Sequence, residues 1–268
     1  MEAKRRHRLS WSQLRMLMGC GVQWEFRYVK KVIRPPGIAL FRGTGAHAGV
    51  EHNMRHKLEH DLDPAPRDEV EDATRDAIAN ELTKDGVALT EEEAGRGLAV
   101  VKNEVIKTAQ NLALLHYDRI APGIIPVAVE REWAVDFESR DALLVGWIDL
   151  EVSDGVRDAK TAGKTPPIDA ADRSDQLTMY ATAYRVLYGR MPATLALDYL
   201  IDLKEPKPMT LHTIRSIEDC GRLILRLDAA IRVMETGAFM PCDRSSWMCS
   251  PTWCGYHDIC PYVDGGGR

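Results

Sequence analysis

Two short apolar runs joined by a tight turn constrain the fold of this chain more than any other stretch. They are ALLVGWIDLEVS at 142–153 and GVRDAK at 155–160, both β-rich, with an Asp-Gly step at the turn. If they pair as antiparallel strands, Asp149 on the first run lies within reach of Asp158 on the second. Lys160 shares a face with Asp158, because side chains alternate along a strand. The hairpin therefore predicts two carboxylates beside one ammonium group.

These three side chains together offer a site for a divalent cation. Carboxylates supply the hard oxygen ligands that Mg²⁺ or Mn²⁺ prefers. A nearby lysine can orient, or help to deprotonate, a metal-bound water that attacks a phosphodiester. The alternative is a surface Asp/Lys pair on a hairpin, since a D-x-K sequence occurs by chance in many proteins. Support for a metal site therefore has to come from other parts of the chain.

Helical patterns precede the hairpin, and a mixture of helices and strands follows it. Apolar spacing and capping residues predict helices at 10–29, 43–60, 63–86, 90–120, 169–189 and 216–237. Besides the hairpin, β-rich runs predict strands at 124–137, 193–203 and 207–214. No internal repeat or low-complexity linker divides the chain, so we expect a single domain over 1–268. The expected class is α/β (α+β), a mixed β-sheet flanked by helices with a helical N-terminal elaboration.

Composition and charge distribution limit the classes of protein to which the chain can belong. Of its 268 residues, 45% are hydrophobic, enough for a globular core, and no apolar run reaches the length of a membrane span. The basic start lacks the apolar stretch of a secretion signal, so we expect a cytoplasmic protein with no membrane partner. Net charge is −5, yet residues 1–34 hold nine Lys or Arg against two Glu, and residues 59–93 hold thirteen acidic residues against three basic ones. The basic segment can bind phosphate groups, although charged runs are more often solvated faces.

Three further side chains are candidates for the same site. His47 follows a glycine-rich opening one turn into a predicted helix, where an imidazole ligand favours Mn²⁺ over Mg²⁺. Gln176 and Tyr180 are four residues apart on a predicted helix, so their amide and phenol share a face that can meet a strand of nucleic acid. Each has a simpler interpretation, because His47 and Tyr180 can equally be core residues.

The order of these motifs is more specific than any one of them. The motifs are G-x-x-x-H (Gly43 to His47), G-x-x-D (Gly146 to Asp149), D-x-K (Asp158 to Lys160) and Q-x-x-x-Y (Gln176 to Tyr180). This succession resembles the RecB-like nuclease family of the PD-(D/E)XK superfamily, over roughly residues 10–262. The resemblance implies a restriction-endonuclease-like core that cleaves DNA.

The same resemblance implies a role for each motif residue. His47, Asp149 and Asp158 correspond to the metal ligands, joined by the backbone carbonyl of Ala159. Lys160 corresponds to the catalytic lysine, and Gln176 and Tyr180 correspond to residues that position the substrate strand. Glu51, one turn after His47, often accompanies the histidine motif and ranks below the others.

Cysteines provide a second group of candidate ligands. The chain has six, at positions 20, 220, 242, 249, 254 and 260. The last three form C-x(4)-C-x(5)-C, a loop that can hold a metal but needs a fourth ligand, for which Cys20 is the best candidate. Cys242 is an alternative ligand, and Cys220 on an amphipathic helix is expected to be a core residue. A four-cysteine Zn²⁺ site remains an alternative to an iron-sulfur cluster.

One branch of the resembled family carries such a cluster. In that branch, which includes the AddB nuclease domain and the CRISPR-adaptation nucleases, one cysteine before the nuclease motifs and three after them hold a 4Fe-4S cluster. The resemblance therefore implies ligation by Cys20, Cys249, Cys254 and Cys260, with residues 10–34 and 240–262 jointly forming the cluster-bearing region. The position after the first cysteine, often proline in this branch, is Gly21 here, and the C-x(4)-C spacing replaces the common C-x(2)-C. The cluster's expected role is structural.

The resulting hypothesis is a metal-dependent deoxyribonuclease that uses Mg²⁺ or Mn²⁺. The resemblance to phage recombination exonucleases implies action on single-stranded or frayed DNA ends in recombination or repair, with a single-strand annealing protein or another recombination factor as partner. Two alternatives remain: a catalytically silent nucleic-acid-binding or assembly protein, and a CRISPR-adaptation subunit that trims DNA. The AGKT stretch is not a phosphate-binding loop, because Asp158 stands where that motif needs glycine.

Overall fold

A computed structural model describes residues 7–137 and 142–264, so Lys4, Arg5 and Arg6 of the basic segment lie outside the described residues. The helices are α1 (Trp11–Gly19), α2 (Gly21–Trp24), α3 (Ile38–Glu59), α4 (Arg67–Asp85), α5 (Glu91–Arg96), α6 (Leu98–Arg119), α7 (Asp175–Tyr188) and α8 (Ile217–Thr236). The strands are β1 (His7–Ser10), β2 (Pro126–Phe137), β3 (Ala142–Val152), β4 (Gly155–Ala162), β5 (Thr194–Ile201) and β6 (Lys207–Thr213). Helices packed around a mixed sheet confirm the predicted fold class. Among the described helices, none combines the length and apolarity needed to span a bilayer.

The chain divides into two compact units. The first unit contains residues up to Arg34, the segment Ala134–Gly146 and the part from Glu218 onward. The second unit contains Pro35–Trp133 and Trp147–Ile217. The motif residues of the predicted metal site fall in the second unit, and all six cysteines fall in the first.

The predicted hairpin lies in the second unit from Trp147 onward, while the first residues of β3 belong to the first unit. Strands β3 and β4 pair antiparallel with Leu150 opposite Arg157, which brings the neighbouring Asp149 and Asp158 to the same level of the sheet. Strand β5 then pairs parallel with β4, after the crossover through α7, and β6 pairs antiparallel with β5. The sheet is therefore mixed, as the sequence predicts.

Helix α3 packs unusually close to α4 and α6 because two of its residues have no side chain. A Cβ at Gly45 would lie 2.5 Å from Ile78 Cδ1 on α4, and one at Gly49 would lie 2.8 Å from the Ala113 Cβ on α6. Only glycine tolerates this approach without displacing the neighbouring helices. His47 lies midway between the two glycines, so this tight packing fixes its position.

Several element boundaries differ from the prediction. The predicted helix over 90–120 is two helices, broken at Gly97, whose φ of 85° lies in the left-handed region. The predicted helix over 169–189 begins only at Asp175, where the Ser174 side chain accepts a hydrogen bond from the Leu177 amide and caps the helix. Strand β1 was not predicted, because four residues are too few for the alternation of apolar and polar side chains to identify a strand. It pairs parallel with the start of β3 in the first unit.

His116 on α6 should make the protein less stable at acid pH. Its side chain is buried among Asp198, Arg157, Lys57 and His47, and burial is the main cause that lowers its pKa from 6.5 to about 4. The folded-state pKa lies below the unfolded value, so unfolding takes up a proton between these two pH values. From about pH 6.5 down to 4, we expect the free energy of unfolding to fall by about 3 kcal/mol more in the parent than in His116→Leu. Urea titrations across this range measure the difference, and equal pH dependence in both proteins would contradict it.

Candidate metal centre

Three side chains from three elements of the second unit converge at one point. His47 on α3, Glu130 on β2 and Asp149 on β3 each place a possible ligand atom within 4.8 Å of the other two. His47 Nε2 lies 2.9 Å from Glu130 Oε1 and must donate to it, because a carboxylate only accepts. His47 Nδ1 is then free of a proton in the neutral ring and lies 3.7 Å from Asp149 Oδ2. Nδ1, beside Asp149, is therefore the nitrogen that could bind a metal ion once the ring is neutral.

Glu130 is the residue of this group that the sequence motifs missed. It sits within a strand but has a φ of 49°, a left-handed conformation that costs about 1–3 kcal/mol for a non-glycine residue. The regular alternation of β2 breaks here, since Ala128 and Val129 are both buried. The run of three apolar residues Val127, Ala128 and Val129 before the glutamate was the only sequence signal for this irregularity. The strained backbone turns the Glu130 carboxylate towards His47.

Asp158 is the most deeply buried carboxylate of the predicted set. Its side chain is completely buried, and neither carboxylate oxygen accepts a hydrogen bond from a protein group. Lys160 Nζ lies 2.7 Å from Asp158 Oδ2, close enough for an ion pair but without the geometry of a hydrogen bond. Burial, together with repulsion from Asp149, raises the pKa of Asp158 well above its ordinary value. Buried carboxylate oxygens without donors are typical of a site that binds a cation.

The charges at this site favour an additional cation. Burial alone would raise the pKa of Asp149, but Asp158, His47 and Lys160 outweigh burial and lower it. Burial alone would lower the pKa of His47, but the hydrogen bond to Glu130 and the nearby Asp149 outweigh burial and raise it to about 9. One imidazole and several carboxylate oxygens form a donor set that suits Mn²⁺ or Mg²⁺. The residues therefore fit a divalent metal ion.

Gln176 and Tyr180 contact Asp149 through a short chain of hydrogen bonds. Gln176 Nε2 donates to Tyr180 Oη over 2.8 Å, and Tyr180 Oη donates to Asp149 Oδ1 over 2.8 Å. Tyr180 is only 4% exposed, so its ring packs within α7 and against the sheet. The pair holds the Asp149 carboxylate in place. Its predicted contact with a substrate strand stays a prediction.

Glu51 and Ala159 lie next to this group without joining it. Glu51 accepts a hydrogen bond of 2.6 Å from Arg55 one turn later on α3. Both Glu51 and Ala159 line a small cavity that also borders His47 and Asp149. Ligation by the Ala159 carbonyl stays a prediction of the family resemblance.

Glu130→Gln should weaken metal binding while leaving the fold intact. An amide oxygen still accepts the His47 N–H but lacks the negative charge that fixes the tautomer and strengthens the imidazole as a ligand. We expect the Mn²⁺ dissociation constant to rise by about 10- to 100-fold. Isothermal titration with Mn²⁺ measures it. The control is Glu132→Gln, an exposed position on the same strand, which should bind Mn²⁺ like the parent.

Five of the six cysteines of the first unit surround one cavity. The cavity has a volume of about 170 Å³ and is lined by Cys20, Cys242, Cys249, Cys254 and Cys260. None of the cysteines forms a disulfide, and all five are half-buried. The Cys242 amide lies 3.4 Å from Cys20 Sγ and donates to it, so the two ends of the described chain meet at this cavity. Cys220 is buried on α8 and does not line the cavity.

Packing explains why glycine follows the first cysteine. The Gly21 amide donates a 2.8 Å hydrogen bond to the Met240 carbonyl, which proline could not do for lack of an N–H. A Cβ at Gly21 would lie 2.9 Å from the Met240 nitrogen. Tyr256 stacks on Phe26 at 5.4 Å and donates to the Val32 carbonyl, which attaches the cysteine-rich loop to the segment after Cys20.

Comparisons with known proteins agree with this architecture. The model of the PD-(D/E)XK nuclease superfamily matches residues 8–261. A solved structure from Eubacterium rectale, described as a "Putative exonuclease", is similar with a TM-score of 0.57 and 11% sequence identity, over 94% of this chain and 88% of that one. At this identity the likeness shows the fold alone. No curated protein matches the sequence at a significant level.

Proposed function

Since the chain belongs to the PD-(D/E)XK nuclease superfamily, we propose that it is a metal-dependent DNA exonuclease that acts on single-stranded or frayed ends. One observation carries the proposal: the buried Asp158 carboxylate, without hydrogen-bond donors, lies beside Asp149 and within 2.7 Å of the Lys160 ammonium group. A protein that only bound DNA would have no need of a buried and a half-buried carboxylate side by side with a lysine. The arrangement suits hydrolysis of a phosphodiester.

Each side chain has a separate task in that reaction. A bound Mg²⁺ or Mn²⁺ ion supplies a Lewis acid for the phosphate and acidifies water. Asp149 and Asp158 would be the carboxylate ligands, and His47 would complete the set through Nδ1. Lys160, whose side chain is 35% exposed, can hold the attacking water and balance charge in the transition state. The Tyr180 hydroxyl keeps Asp149 from rotating away.

The substrate can be tested with DNA of three kinds. We expect loss of end label from linear single strands and from duplexes with frayed ends, in Mg²⁺ or Mn²⁺ and not in EDTA. Covalently closed circles should stay intact, because an exonuclease needs an end. If the protein cuts closed circles rapidly and removes no end label from linear DNA, it is an endonuclease. No cleavage of any DNA by the metal-loaded protein would overturn the proposed activity.

We also propose that the cysteine cavity holds a 4Fe-4S cluster bound by Cys20, Cys249, Cys254 and Cys260. Five half-buried thiols around one cavity support a four-thiolate metal site. The order of one early cysteine and three late ones favours the cluster over zinc. Cys242 is the alternative fourth ligand.

The cluster's proposed role is to join residues 10–34 to residues 240–262 within a single nuclease domain. The loop from Cys249 to Cys260 contains only one short 3₁₀ turn, His257–Ile259, and little buried apolar surface. A bound cluster would contribute the folding free energy that this loop cannot obtain from packing. An exonuclease of this kind would work with a single-strand annealing protein or another recombination factor.

A further inference from the structure

A small cavity borders the proposed metal centre. Its volume is about 20 Å³. Its polar lining consists of His47, Glu51, His116, Asp149, Arg157 and Asp198. One wall therefore consists of residues of the metal centre, and another of residues with no part in the proposed chemistry.

His116 is the unsatisfied residue of the second wall. The side chain is 1% exposed, and neither Nδ1 nor Nε2 has a hydrogen-bond partner among the described residues. Its lowered pKa, about 4, keeps the ring neutral near pH 7, so it carries one N–H donor and one acceptor nitrogen. A buried imidazole without any partner costs free energy. The ring therefore needs a partner in the cavity that it lines.

The neighbouring charged groups of that wall already have partners. Arg157 donates to both Asp198 oxygens, over 2.8 and 2.6 Å. Thr210 Oγ1 donates to Asp198 Oδ1 over 2.6 Å. This bidentate pair is rigid and fixes the position of the wall. Of these three residues and His116, only His116 is left without a hydrogen bond.

The cavity has the size and polarity for one water molecule. A buried water needs at least about 10–15 Å³ of accessible volume and two to four polar partners. The volume of about 20 Å³ meets the first condition, and the imidazole and carboxylate groups of the lining meet the second.

We propose that one water molecule in this cavity connects His116 to the back of the metal centre and makes His116 a positioning residue for the metal ligands. The water donates to a carboxylate oxygen of the centre and exchanges a hydrogen bond with the His116 ring. Outer hydrogen bonds of this kind orient metal ligands and change metal affinity. The inference rests on the proposed metal site and adds a residue that no nuclease motif contains.

Mn²⁺ titration of full-length variants in the absence of DNA tests this inference. In His116→Leu the water loses its partner, and we expect the Mn²⁺ dissociation constant to rise about 10-fold or more. In His116→Gln a side-chain amide can replace the ring, so the affinity should stay within about threefold of the parent. The control is Leu112→Ala, one turn earlier on α6, fully buried and outside the cavity lining. It should lower the melting temperature and leave Mn²⁺ binding within about twofold.

Each contrary result has one meaning. His116→Leu with parental Mn²⁺ affinity overturns the inference, and so does a loss in Leu112→Ala as large as that in His116→Leu. A loss in His116→Gln equal to that in His116→Leu overturns the water-mediated hydrogen bond. Failure of the unaltered protein to bind Mn²⁺ overturns the metal site itself, and the inference with it. If the parent and both His116 variants all bind Mn²⁺ normally, the metal site stands and the inference about His116 fails.

Discussion

Asp158→Asn should abolish cleavage and at the same time make the metal-free protein more stable. The substitution keeps the shape of the side chain but replaces a completely buried carboxyl group, whose oxygens accept no hydrogen bond, with a group that cannot ionise. Cleavage should fall on the order of a thousandfold, because a missing carboxylate ligand removes several kcal/mol of transition-state stabilisation. In EDTA near pH 7, the free energy of unfolding should rise by about 1–3 kcal/mol, because a carboxyl group whose pKa is raised by folding destabilises the folded state above its unfolded pKa, and asparagine does not ionise. End-labelled DNA assays and urea titrations measure the two effects.

A matched control separates the site from general effects of charge removal. Asp202 forms an ion pair with the half-exposed Arg42 over 2.7 Å, and Asp202→Asn removes the charge of that pair. Asp202 directly follows β5 and lies outside the group of proposed ligands. Asp202→Asn should cleave DNA like the parent and gain no stability in EDTA. Parental activity in Asp158→Asn would remove that residue from the site. A lower stability of Asp158→Asn in EDTA would mean that Lys160 already compensates its charge.

The hairpin and the helices were predictable because their signals are local. Alternating apolar residues on either side of an Asp-Gly turn fix both strands and their register, and the register alone brings Asp149 and Asp158 together. The glycines around His47 could be read as a helix opening, but their use for close helix packing depends on α4 and α6, which are distant in sequence. Local patterns therefore predict the helices and strands, whereas tertiary contacts decide how closely the helices pack against one another.

The parts of the site that could not be predicted depend on non-local geometry. Glu130 joins the group through a positive φ inside a strand, a conformation that no sequence pattern of glutamate indicates. The spacing of Gln176 and Tyr180 predicts that they share a helical face, but the contact of Tyr180 with the Asp149 carboxylate depends on how α7 packs on the sheet. Burial of His116 behind the metal centre depends on the packing of α6 in the same way.

Cys254→Ser should cost the protein its iron and the stability of the first unit. Cys254 packs against Val22, Phe26 and Tyr256 and lines the same cavity as Cys20. Protein purified without oxygen should be brown with about four iron atoms per chain. The serine variant should be nearly colourless, poorly soluble and cut by protease in the cysteine-rich loop, because a structural metal site contributes folding free energy directly. Iron analysis, the visible absorption spectrum and limited proteolysis check these outcomes.

Three further cysteine variants test which thiols hold the proposed cluster. Cys220→Ser, buried on α8 outside the cavity, should keep the full iron content. Cys242→Ser should also keep it if Cys20, Cys249, Cys254 and Cys260 are the four ligands. Loss of iron in Cys242→Ser with retention in Cys249→Ser would make Cys242 the ligand instead, in keeping with its hydrogen bond to Cys20 Sγ. If the parent protein is colourless and holds one tightly bound zinc ion, the cavity is a four-cysteine zinc site and the cluster proposal is wrong. Cys254→Ser would then lose zinc and stability together.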